Sequence, residues 1–211
     1  MKNQFSIDDL VNDLTPVKPM NANKGLALPA IMVLAFATLF ISQLGLRNDW
    51  AAGIPHPNSL MRGGILLLLG VATARAVVSM ATPSVGKGSQ GWIWAVGAAL
   101  LFPLSAMIVA ISNISADMPV SVNTGWYCFK MCLSASAATA IPMILWLRKG
   151  APTSPERAGL LTGIAAGGLG AFAYSFHCPF TSVMDISVWY TASIATSALI
   201  GRMVVPHLIR W

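Results

Sequence analysis

Residues 126–179 read WYCFKMCLSASAATAIPMILWLRKGAPTSPERAGLLTGIAAGGLGAFAYSFHCP. An apolar run, 126–147, passes through a turn rich in charge and proline, 148–157, into a second apolar run, 158–176. A helix of about 20 apolar residues crosses a hydrocarbon core of roughly 30 Å. The stretch therefore reads as an up-and-down helical hairpin in a membrane. Cys128 and Cys132 open it and Cys178 closes it, so the hairpin brings all three cysteines to one membrane face. The rest of the chain is read as the packing around this hairpin and the lever attached to it.

Composition agrees. Of 211 residues, 55% are hydrophobic and 9% charged, against about 25% charged in a soluble domain. That deficit excludes an ordinary globular enzyme. Working outward, six apolar spans are expected: 25–45, 64–80, 92–111, 126–147, 158–176 and about 186–205. The fold class is thus an all-α integral membrane protein with six transmembrane helices and a short cytoplasmic N-terminal amphipathic helix. Residues 1–24 form the N-terminal segment and residues 25–211 the membrane domain. The polar opening of the chain does not read as a cleavable signal peptide.

The net charge of +6 invites a nucleic-acid reading, but the basic residues lie at span ends rather than in a patch. They are topology signals. With the N-terminus inside, nine of them (Lys2, Lys18, Lys24, Lys87, Arg148, Lys149, Arg157, Arg202, Arg210) are on the inner side and two (Arg47, Arg62) in outer loops. Both termini are therefore expected in the cytoplasm. Arg75, deep in its span, is expected to snorkel inward rather than meet Asp185. Gly159, Gly163 and Gly167, with Ala171, form a small-residue ridge for close helix packing.

The N-terminal segment carries its own pattern. Ser6 and Asp9 have capping-box spacing. Ile7, Leu10, Val11 and Leu14 recur on one helical face, with Asp8, Asn12 and Asp13 between them. Pro16 stops the helix. So short a helix is marginal alone in water and reads as a segment that folds against a partner.

The cysteines carry the chemistry. Cys128 and Cys132, at i and i+4, share a helix face, and His177 precedes Cys178. Three uses fit: a disulfide to Cys178 in an oxidising compartment, a soft or borderline metal ion on the thiols, or small apolar packing. Lys130, if it stays beside them, would favour thiolate. No phosphate loop, zinc-protease motif or paired intramembrane carboxylate is present, so no enzyme motif supports catalysis.

The run Cys132-Leu133…Pro142…Leu147-Arg148-Lys149-Gly150-Ala151-Pro152…Gly159…Gly163…Tyr174…His177-Cys178-Pro179…Trp189-Tyr190…Gly201-Arg202…Trp211 resembles the NrsF family. These are six-span negative regulators of extracytoplasmic-function sigma factors in the bacterial inner membrane. The start, Ile7-Asp8-Asp9-Leu10…Leu14-Thr15-Pro16-Val17-Lys18, is similar too. The resemblance implies an anti-sigma factor; no resident cofactor is expected, and a metal ion or an oxidant acting at Cys132 and Cys178 is the expected signal. Its partners would be a sigma factor and membrane lipid, with no direct nucleic-acid contact. Ile7, Asp8, Asp9, Leu10, Val11 and Leu14 would bind the sigma factor. Cys132 and Cys178 match the family's cysteines, as sensor or metal ligands, and Cys128 is an extra. The alternative class is a thiol–disulfide oxidoreductase working with a quinone, which would normally need two cysteine pairs.

Overall fold

The computed structural model describes residues 21–81, 97, 100, 104, 107, 122–150, 152–180 and 182–209, with Val183 described in its backbone only. The expected helix over residues 7–14 lies outside them. So does most of the expected third span, of which Gly97, Leu100, Leu104 and Met107 are described, each helical and exposed.

The described chain is all-helical. Its elements are α1 (Ala22–Leu44), the one-turn α2 (Asn48–Ala51), α3 (Pro57–Met80), α4 (Val122–Lys149), α5 (Pro155–Ser175) and α6 (Val183–Ile209). Five of these are long and apolar enough to cross a membrane. Local signals start them. The Asn21 side chain accepts from the Asn23 amide at the head of α1. His56 does the same for Asn58 at the head of α3, with Pro57 in the first turn. Pro155 opens α5, where a missing amide hydrogen costs nothing.

One boundary differs from expectation in a way that matters. The second span starts at Pro57, not at residue 64, so Arg62 belongs to a helix rather than an outer loop. Arg75 is exposed on α3, where it is free to snorkel.

The hub of the bundle is α5, which packs against α1, α3, α4 and α6. Sixteen of its 21 residues are buried, more than any neighbour, and glycine makes this possible. A Cβ on Gly159 would come within 2.5 Å of the Gly201 carbonyl oxygen, and one on Gly163 would strike the Ser197 carbonyl on α6. On its other faces Gly168 abuts the Gly70 backbone of α3, and Gly170 lies against Ser136 of α4. Between helices in lipid, such close backbone contact supplies dispersion that the hydrophobic effect does not.

Three fully buried threonine hydroxyls are satisfied within their own helices, as a low-dielectric interior favours. Thr73 donates to the Leu69 carbonyl, Thr139 to that of Ala135 and Thr162 to that of Ala158. The two ends of the bundle differ. Lys24, Arg148, Lys149 and Arg157 gather at the end where α1 and α5 begin and α4 stops. There Gly150 fits beneath the Ala81 carbonyl at the foot of α3. The opposite end carries the cysteines.

Candidate functional site: a buried thiol cluster under an arginine clamp

Helix α4 places Cys128 and Cys132 one turn apart on its buried face, 1% and 0% exposed. Cys178 follows the end of α5, in the connection to α6, and is 0% exposed. All three are free thiols. The Cys128 thiol lies within hydrogen-bonding reach of both Cys132 and Cys178. The hairpin therefore does bring the three together, and Cys128 stands between the two cysteines that the family resemblance singled out. Hydrogen bonding to Cys128, together with burial, holds the Cys178 thiol well above the ordinary cysteine range. It rests protonated and weakly nucleophilic.

Lys130 does not join the cluster. It is exposed, and two residues from either α4 cysteine is nearly the opposite face of a helix. His177 is also turned to structural use. Its Nδ1 lies 2.9 Å from the Gly45 carbonyl, and since a carbonyl only accepts, that nitrogen carries the proton. Gly45 ends α1 with φ of 85°, a conformation glycine adopts readily.

The cation facing the thiols is Arg62, 3% exposed. Its guanidinium donates to the carbonyls of Ser175 at 3.0 Å and Phe180 at 3.1 Å. It also stands 5.5 Å from the centre of the Tyr190 ring. A second arginine reaches the same connection. Arg47 donates to the carbonyls of Cys178 and Phe180, each at 3.2 Å, and its backbone amide to that of Phe176. These carbonyls lie at and just past the C-terminus of α5, where helix carbonyls lack intrahelical partners and the dipole favours cations.

Asp49 holds Arg47 in place at 2.8 Å. It also accepts from the Trp50 and His56 amides and the Ser59 hydroxyl. Burial raises its carboxyl, but the His56 amide, the Arg47 charge and the Ser59 hydroxyl outweigh that and hold it below the ordinary carboxylate range.

The two arginines counted as outer-loop charges are thus a clamp on the backbone that carries Cys178. One signal in the sequence bears on this. A histidine and a proline at 56–57 start a helix, which puts Arg62 in its second turn, where a buried cation needs partners.

Chemically, the cluster offers three buried thiols beside Tyr174 and Tyr190, which are 1% and 0% exposed. The Tyr190 hydroxyl is buried without a hydrogen bond of ordinary length. Two thiols that lose their protons suit a soft ion, and two that lose electrons form a disulfide. Among the described residues no group of three or more His, Cys, Asp or Glu side chains is arranged to hold a metal ion.

A glycine-packed helical membrane bundle with buried thiols under two arginines at one end and a group of exposed cations at the other is the class that the fold and site define. The chain belongs to the NrsF family: the family model described as negative regulator of sigma F matches residues 10–211. It is 29% identical over 184 residues to the anti-sigma-F factor NrsF of Caulobacter vibrioides, covering 84% of each chain. It is 26% identical over 220 residues to the probable anti-sigma-F factor NrsF of Azospira oryzae, covering all of both chains. No solved structure matches it.

Proposed function

We propose that this protein is a membrane-embedded anti-sigma factor whose hold on its partner is set by the thiol cluster. The partner is a sigma factor of the extracytoplasmic-function class, kept at the inner membrane and away from RNA polymerase. The segment that holds it is the amphipathic stretch Ile7 to Leu14, with both termini in the cytoplasm. Membership of a family of sigma regulators supports the role. The observation that carries the sensing is the convergence of Cys128, Cys132 and Cys178 beneath a clamped connection.

An oxidant takes two electrons and two protons from a thiol pair and leaves a disulfide. A soft metal ion, as signal rather than resident cofactor, displaces two thiol protons and bridges the sulfurs. Either bond requires Cys178 to move against α4, and its backbone is tied by Arg47 to the α1–α3 connection and by Arg62 to α3. The change in packing spreads through α5, which touches every described long helix. A signal acts only through different affinities for two packings, so the resting packing must favour the bound sigma factor.

The tail is tested by Leu10→Asp, which puts a charge on its apolar face. Full-length protein carrying it should lose co-purification of the sigma factor while remaining in the membrane. Undiminished co-purification would contradict the assignment.

A further inference from the structure

At the basic end of the bundle a cleft of about 300 Å³ opens between the first turns of α1 and the last turns of α4. Lys24, Arg148 and Lys149 rim it, and Leu28, Leu145 and Trp146 wall it one turn deeper. Each of the three cations is exposed, and neither ion pair among the described residues uses any of them. Leu28 and Leu145 are 51% and 50% exposed toward the cleft and the surrounding lipid. The floor is fixed, because Trp146 packs so closely on Gly25 that a Cβ there would lie 2.6 Å from its ring.

We propose that this cleft binds an anionic phospholipid of the leaflet at the basic end. Its phosphate would sit under Lys24, Arg148 and Lys149, and an acyl chain would lie along Leu28 and Leu145. The division of the cleft argues for this ligand: cations at the headgroup level and apolar side chains below them match the two halves of a phospholipid. Basic pockets between transmembrane helices recognise anionic headgroups in this way. A soluble phosphate would use the cations but leave the apolar wall without a role. Lys24 and the Arg148–Lys149 pair are far apart in sequence, so topology alone makes them look like independent anchors; the fold makes them one site. The proposal stands apart from the sensor reading, since it uses none of the cysteines.

The test is lipid retention by the full chain, measured by native mass spectrometry after exchange into detergent with equal phosphatidylglycerol and phosphatidylcholine. Wild type should keep phosphatidylglycerol in preference to phosphatidylcholine. The triple variant Lys24→Gln/Arg148→Gln/Lys149→Gln should lose that preference by about tenfold or more, since each cation near an anionic headgroup strengthens association about fivefold. The charge-preserving variant Lys24→Arg/Arg148→Lys/Lys149→Arg should keep it, as should Arg75→Gln, which removes an exposed cation elsewhere. Excess glycerophosphate should not displace the lipid. Equal retention of both lipids by wild type, undiminished preference in the triple variant, displacement by glycerophosphate, or loss in Arg75→Gln would each overturn the assignment. Retention of phosphatidylglycerol only after removal of residues 1–20 would do so as well, by making the N-terminal segment the occupant.

Discussion

At the scale of single residues, the site turns on Arg62. Its guanidinium gives one hydrogen bond to the Ser175 carbonyl and one to the Phe180 carbonyl, which it shares with Arg47, and such charge-assisted bonds contribute about 1.5–3 kcal/mol each. Arg62→Gln should therefore lower the melting temperature in detergent and speed alkylation of Cys178. Arg62→Lys, which lacks the planar fork, should recover only part of both. A glutamine variant with wild-type melting and labelling would contradict the clamp.

Asp49 gives a pH test. Its folded-state carboxyl titrates below the ordinary range, so its contribution is present above the unfolded value and is lost as pH falls through the folded one. Wild type should be more stable than Asp49→Asn at neutral pH, and the gap should close in acid. A gap that does not change with pH would rule out an ionised Asp49 as its source.

The thiol order is testable as well. Mild oxidation followed by peptide mapping should yield the Cys128–Cys178 link before a Cys132–Cys178 link, because Cys128 is the thiol that meets Cys178. The reverse order would contradict the placement.

At the scale of elements, α5 is the piece on which packing depends. Gly163 faces the Ser197 carbonyl and lies 2.7 Å, as a notional Cβ, from the Ala198 Cα on α6. Gly163→Val has no flexible side chain to push aside, so it must separate two backbones. Overpacking of this kind costs about 1–3 kcal/mol and often more. Gly64→Ala on α3, with nothing within 4 Å of the added carbon, should be neutral or mildly stabilising. Equal unfolding midpoints for the two variants in a denaturing-detergent titration would refute the hub role of α5.

The glycine spacing made this helix legible in sequence, because a repeat of every fourth residue marks one face. The glycines on its other faces were harder to read. Gly168 and Gly170 look like surplus until α3 and α4 are placed against them.

For the whole molecule, the positions of the five described spans, apart from the start of the second, and the meeting of the cysteines followed from hydropathy and an up-down hairpin. Both depend on local order along the chain. The role of Arg47 and Arg62 did not follow, because their partners are backbone carbonyls more than 110 residues away, and carbonyls leave no mark in a sequence. The basic cleft escaped for the same reason: charge counting gives each lysine a side of the membrane but no neighbour. The account as a whole rests on one claim, that the thiols govern the hold on a sigma factor.

The most direct measurement is co-purification of the full-length protein with its sigma factor, with and without Cd²⁺ or an oxidant, for wild type and Cys178→Ser. The account predicts that wild type binds sigma at rest and releases it on treatment, while Cys178→Ser holds it throughout. Release from Cys178→Ser equal to that from wild type would contradict the claim.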